Sequence, residues 1–522
     1  MTSTTTATRH PGRTAPGPKG VPVLGSLGPW KRNTAEFLLG LQRDYGEIVR
    51  MQLGPFTVHQ VSDPDVVRHV LVENNANYVR GPLYEQFGVV MGKGLLTTDG
   101  EFWRGHRRAV QPVFLKNAVT DIIPNIIRAT EEMLDGWERR AAAGEPVDLM
   151  ADMLRLTLVT LSRSLFAYDI RPDSALLKTI VDDVVEVMFR RGVPTEMLPS
   201  WVPTERKRKI ARIHRVFDRV VADVRERYAR TGEGPLIALM EQATDPATGR
   251  PWTDQQIKDE LLTVYLAGHE TTAVALCWTL LSVAGHPGVQ EELDAEIGTV
   301  LGGGLPDAVS AEKLTYTKMV VDESLRMHPP IWIFPRAAVR ADTLGPYGIE
   351  PGSSVLLSPL VSHHNPRHWD NPLAFDPYRF TPEAIRERPR MAYLPFGSGP
   401  RQCVGNLMAL LELRVIVAMI NQRFTISRVP GTSLQYGSPV ISLRPIQDVM
   451  VNVRPRERSA APRTAEAAAP QPAPEPAAQP EESGKAAQPE QSGRAEGPAA
   501  ASHPTEGGDA AGPAPSCPFH QP

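Results

Sequence analysis

Residues 261–284 are mainly apolar and are interrupted near their centre by Gly268-His269-Glu270-Thr271-Thr272. Thr253, with Gln256 three residues on, has the form of a capping box, so the spacing predicts one helix from Thr253 to about Gly285. A helix apolar nearly all round must be buried, in a bilayer or at the centre of a large fold. A carboxylate and several hydroxyls midway along would lie deep inside a bilayer, so a soluble core is expected. A helix of this kind needs a large domain around it, and a chain of 522 residues can supply one.

The chain's 50 prolines are unevenly spread, and many follow Pro455; residues 460–515 are almost wholly Ala, Pro, Glu, Gln, Gly and Ser. Such a composition offers too few large apolar groups to offset the entropy of ordering a backbone. The expected organisation is a flexible leader over 1–16, one domain over 17–455 and a disordered tail over 456–522. Within the domain, 48–53 and 57–61 read as a hairpin meeting at Gly54-Pro55, and Asp63-Pro64 as a helix start. Helical periodicity runs over 119–141, 149–165, 205–230, 289–300 and 311–327. The fold class expected is mainly α with minor β. A formal net charge of -3 gives no overall reason to expect nucleic acid or an anionic membrane as partner. Residues 1–19 hold no apolar run, so neither a signal nor a membrane anchor is expected. Cys277, Cys403 and Cys517 lie too far apart for a zinc site or a disulfide framework, which suits a cytoplasmic protein.

Four segments carry chemistry. In Phe396-Gly397-Ser398-Gly399-Pro400-Arg401-Gln402-Cys403-Val404-Gly405, an irregular turn delivers one cysteine to the start of an apolar helix over 407–420. Helix N-terminal amides favour a thiolate and can donate to its sulfur, although a lone Cys403 could equally be a small core residue. In Glu323-Ser324-Leu325-Arg326 the acid and base share one helical face. In Ala267-Gly268-His269-Glu270-Thr271-Thr272 the interior glycine costs about 1 kcal/mol relative to alanine, which suggests a bend or the close approach of something bulky. Threonines there could instead bond their own helix backbone. Finally, Trp103 and Arg107 lie one turn apart on a helix that Asp99 is expected to cap.

Together these segments resemble the cytochrome P450 family. Phe396, Gly399, Arg401 and Cys403 match its cysteine loop, Glu323 and Arg326 its buried pair, and Arg379 in Pro377-Tyr378-Arg379-Phe380 that pair's third member. The resemblance implies the family's triangular helical fold, with haem b between the oxygen-motif helix and the helix after the cysteine. It implies Cys403 as iron ligand, with Gly405 in the same loop, and Trp103, Arg107, Arg336 and Arg401 as contacts to the haem propionates. Ala267, Gly268, Glu270 and Thr271 would form the oxygen site, with Thr271 donating to the distal oxygen and Glu270 linking to a proton-delivering water chain.

By the same resemblance the reaction is monooxygenation, with O2 as co-substrate, electrons from a separate ferredoxin and ferredoxin reductase, and a monomeric protein. Arg104 and Arg108 would face outward, as a solvated helix face or a docking face for the ferredoxin. The implied substrate pocket includes Phe87, Met91, Met188, Val264, Ile331, Trp332, Ile333 and Phe334, which predicts an apolar ligand. A terpenoid secondary metabolite is the leading reading. The alternatives are a fatty acid or polyketide hydroxylase, a peroxide-using haem-thiolate enzyme, and a non-catalytic haem- or ligand-binding protein. Cys277 reads as core, Gly302-Gly303-Gly304 as a loop, and the histidines 363, 364 and 368 as unable to share a metal.

Overall fold

In the computed structural model the expected central helix forms as Asp254–Ala284, and the reciprocal bonds of its capping box are present. The Thr253 amide donates to the Gln256 side chain at 2.9 Å, and the Gln256 amide donates to Thr253 Oγ1 at 3.2 Å. Leu261, Leu262, Tyr265, Val274, Leu276 and Leu280 are all buried, so the helix is enclosed on nearly every side, as its composition requires. Leu149–Phe166 crosses it closely: a Cβ built on Gly268 would stand 3.0 Å from Leu161 Cδ1. The bulky object beside Gly268 on its Cβ side is a leucine of the crossing helix.

The structure describes residues 12–171, 183–184, 187, 204–432, 442–445 and 447–456. Met188, most of the leader and the tail beyond 456, including Cys517, lie outside them. All described residues belong to the compact unit Met1–Pro462; a second unit, Arg463–Pro522, lies outside the described residues.

The described chain is mainly helical with small sheets. Strands β1 (Ile48–Leu53) and β2 (Phe56–Val61) form the expected hairpin, in register Ile48 to Val61. With β3 (Tyr78–Val79), β5 (Phe334–Ala338) and β8 (Ser354–Leu357) they make a sheet of order β1-β2-β8-β5-β3, in which β2 and β8 run parallel. A second sheet joins β4 (Val147–Asp148), β10 (Met450–Pro455) and β9 (Phe424–Arg428), while β6 (Asp342–Leu344) and β7 (Tyr347–Ile349) pair alone. Asp63 caps Pro64–Arg68 by accepting from the amides of Asp65 and Val66.

Two expected helices are broken, each for a local reason. The 119–141 periodicity becomes Lys116–Thr120 and Ile123–Ala143, because Pro124 lacks an amide and is tolerated only in a first turn. The 311–327 run becomes Ala308–Lys313 and Thr315–Met327, parted at Leu314. The first-turn amides of the second piece find their acceptor in another helix: Glu296 accepts from the Thr317 amide at 2.8 Å and also from the Tyr316 amide. Among the described residues no single helix is long and apolar enough to cross a membrane.

Candidate active site

A cavity of about 390 Å³ is lined on one side by the middle of Asp254–Ala284 and on another by the loop and helix around Cys403. The Cys403 amide donates to the Phe396 carbonyl at 2.9 Å, which closes the loop, and Asn406–Arg423 begins three residues later. Gly399 makes this loop possible. At φ +71°, a Cβ there would stand 2.0 Å from the Leu71 carbonyl oxygen, so only glycine lets the loop dock on that backbone. Gly399 itself does not line the cavity, whereas Phe396, Arg401, Cys403 and Gly405 do.

Cys403 lines the cavity, where part of its surface is exposed. Burial pushes its thiol up, and the Gly405 amide and nearby Arg107 only partly oppose this. The amide at the helix start thus favours the thiolate but not enough to offset burial. A cation at the sulfur would do so.

Four arginines, Arg80, Arg107, Arg336 and Arg401, face the same cavity. Asp99, expected to cap Gly100–Val110, makes no cap bond. Its carboxylate accepts instead from the Arg80 amide at 3.1 Å and from the Arg401 guanidinium. Arg401 stacks 3.8 Å from the Trp103 ring centroid, and Arg107 donates to the Gln402 carbonyl at 2.7 Å. Burial and the like charge of Arg80, with a further contribution from Arg336, lower Arg401 to about 9 despite Asp99. Arg401 Nη1 and Arg80 Nε are buried without partners. Sequence reasoning missed Arg80, which stands in no motif and is identified only by where the chain places it.

On the long helix, Thr271 donates to the Ala267 carbonyl at 2.9 Å and Thr272 to the Gly268 carbonyl at 3.0 Å, the bonds a helical threonine makes to its own backbone. Ala267, Gly268, Glu270 and Thr271 all line the cavity. Glu270 Oε1 accepts from Ser442 Oγ at 2.7 Å. Of the expected pocket residues, Phe87, Met91, Val264, Ile331, Ile333 and Phe334 line the cavity, and Trp332 does not. Trp332 is instead fully buried in a cluster with Leu38, Met51 and Leu360, against which Ile333 also packs.

The wall formed by Leu95 and Leu96 is tied down by two acids that sequence reasoning overlooked. The Lys93 amide donates to Asp259 at 2.7 Å and the Leu95 amide to Glu260 at 3.0 Å. Glu260 also meets His106 Nδ1 at 2.7 Å, and the His106 ring stacks between Phe102 and Trp252.

Behind the cysteine loop, Glu323 takes two bonds from Arg326, both at 2.7 Å, and one from the Asp376 amide at 2.9 Å. Arg379 Nε lies 3.5 Å from the same carboxylate. Burial pushes the Glu323 carboxyl up, against the pull of Arg326 and Arg379. Arg326 donates to the carbonyls of His363, Pro372 and Ala374, and His363 Nε2 accepts from the Leu394 amide at 3.0 Å. The cluster thereby reaches the segment that enters the cysteine loop. His363 is consequently a core residue, and among the described residues no His, Cys, Asp and Glu group could hold a metal.

Residues 15–446 match the sequence profile of the family described as Cytochrome P450. The chain belongs to the cytochrome P450 family. It is similar to Cyclooctatin synthase of Streptomyces melanosporofaciens, with 34% identity over 435 residues, covering 82% of this chain and 93% of the relative. Cyclooctat-9-en-7-ol 5-monooxygenase of the same organism is 30% identical over 431 residues, covering 81% and 92%. The crystal structure of the cytochrome P450DA heme domain superposes with TM-score 0.74 at 27% identity, covering 86% of this chain and 99% of that one. Membership makes the chain a P450 monooxygenase and implies a haem-thiolate cofactor, substrate, O2 and redox partners. The residues present fit such a group: one sulfur opens on the cavity and could meet a cation, and among the described residues the clustered guanidiniums are offset by the carboxylate of Asp99, which leaves room for an anion.

Proposed function

We propose that this P450 oxidises a terpenoid, with Cys403 as the thiolate ligand of a haem b. Arg80, Arg107, Arg336 and Arg401, with Trp103 beside them, would hold the haem carboxylates. The under-compensated arginine cluster supports this, since two carboxylates would relieve its repulsion and supply its missing hydrogen-bond acceptors. The bound haem supplies the chemistry: reduction of O2, insertion of one oxygen atom into the substrate and loss of the other as water.

The protein's own groups bind, orient and move protons. Thr271 Oγ1 and the Glu270 carboxyl stand at the cavity wall, where a hydroxyl and an acid can hand protons toward the centre of the cavity. Glu323, Arg326 and Arg379 keep the cysteine loop in place from behind. Phe87, Met91, Val264, Ile331, Ile333 and Phe334 offer an apolar substrate area.

The single observation carrying the terpenoid reading is this apolar wall, joined to two relatives named for cyclooctatin and cyclooctat-9-en-7-ol. Arg104 and Arg108 are exposed on the helix that also carries Trp103 and Arg107, which supports an acidic ferredoxin, served by its reductase, as electron donor. A cytoplasmic, monomeric protein accords with this reading.

The test is optical. Ferric protein is titrated with a cyclic diterpene hydrocarbon and, separately, with a long-chain fatty acid. A low-to-high spin shift with the diterpene supports the proposal; a shift with the fatty acid alone overturns it. The carbon monoxide complex of the reduced protein should show a thiolate-type Soret band that Cys403→Ala abolishes.

A further inference from the structure

We infer that Ser442 is the positioning residue for Glu270, holding its carboxyl against the cavity wall beside Thr271. The inference rests on the proposed role of Glu270 and adds the residue that fixes it there. Both side chains are buried, both line the cavity, and Ser442 Oγ donates to Glu270 Oε1 at 2.7 Å.

Ser442 can do this because its neighbour is anchored independently. The Leu443 carbonyl accepts from Trp278 Nε1 at 2.7 Å, and the Leu443 amide donates to the Pro330 carbonyl at 2.9 Å. Leu443 is fully buried among Leu38, Trp332 and Leu360. Residues 442–443 therefore lie along the long helix as a short strap, fastened at Glu270 and again at Trp278, eight positions or about two turns further on. The third fastening joins the strap to the segment that brings Ile331 and Ile333 to the cavity.

The chemistry of the donor matters as much as its position. Among the described residues Ser442 is the one side chain that donates a hydrogen bond to Glu270. The adjacent His269 cannot substitute. Its Nδ1 is engaged with the Tyr265 carbonyl at 2.6 Å, and burial keeps the ring's proton affinity low. A hydroxyl fixes a carboxyl's direction without placing a full charge beside it. The hydroxyls of Thr271 and Thr272 are meanwhile held by their own helix, so they do not compete for the carboxylate.

The test compares Ser442→Ala, Ser442→Thr and Glu270→Gln in the haem-loaded full-length protein by infrared spectroscopy. The Glu270 carboxyl band is identified by its disappearance in Glu270→Gln. The stretching band of carbon monoxide bound to the reduced protein reports the polarity of the cavity. In Ser442→Ala the carboxyl band should move and the carbon monoxide band should shift by an amount comparable to that in Glu270→Gln; Ser442→Thr, which keeps the hydroxyl, should restore both. If Glu270→Gln shifts the carbon monoxide band but Ser442→Ala leaves both bands at their wild-type positions, the positioning role is overturned. An unshifted carbon monoxide band in Glu270→Gln would instead sink the assignment of Glu270. Should Ser442→Ala fail to take up haem, Ser442→Gly provides the same comparison.

Discussion

Thr271 donates its hydroxyl to the Ala267 carbonyl, yet it stands on the cavity wall next to Glu270. The local bond contributes little to folding, so Thr271→Ala should change stability by less than about 1 kcal/mol while diverting reducing equivalents to hydrogen peroxide. Unfolding curves and a peroxide assay during turnover check both halves; unchanged peroxide would leave the hydroxyl with its helix role alone. Glu412 gives a second prediction at this scale. It lines the cavity, one of its oxygens is buried without a partner, and burial lifts its pKa to about 8. A carboxyl whose folded value is raised contributes stability below its unfolded value, and that stability is lost as pH rises toward the folded value. The protein should therefore lose stability between about pH 4.5 and 8, by an amount on the order of 5 kcal/mol at most. Denaturant titrations at the two ends measure it, and Glu412→Gln should flatten the trend. Cys403, Glu323 and Thr271 were legible in the sequence because each sits in a short run of unusual residue types. Arg80 and Ser442 were not, because each gains its meaning from a neighbour distant in sequence, 172 positions away for Ser442 and Glu270, and Glu412 was not, because its burial depends on the whole fold.

At the scale of elements, periodicity located the long helix and the hairpin almost to the residue, since a capping box and a turn mark their ends locally. It overran the breaks at Leu314 and before Ile123. The first break depends on Glu296 arriving from another helix, which no local pattern reveals. The same kind of long-range capture governs the loop holding Leu95 and Leu96. Asp259 and Glu260 grip its backbone amides, and Gly92 passes so near Asp259 that an added Cβ would fall 2.1 Å from the carboxylate carbon. Glu260→Ala should release the Leu95 amide and leave buried His106 without its partner. Hydrogen exchange at residues 92–98 should quicken, with exchange in Ile123–Ala143 unchanged. Equal protection in the variant and the parent would mean that the loop is held by its apolar contacts alone.

Across the whole molecule, the Glu323 and Arg326 cluster joins segments that are remote in sequence: 323–326, 363, 372–376 and, through His363, Leu394. Arg326 is wholly buried, so removing its acid leaves a desolvated cation. Glu323→Ala should cost about 3–5 kcal/mol and reduce haem content; calorimetry and the ratio of Soret to protein absorbance measure these, and a stable, haem-replete variant would overturn the cluster's structural role. The arginine cluster has a different consequence, for how the protein matures. Arg80, Arg336 and Arg401 repel one another in a poorly solvated space, a repulsion that the proposed haem carboxylates would relieve. On the proposed haem contacts, chains that fold when haem is scarce should be the less stable ones and the more exposed to proteolysis.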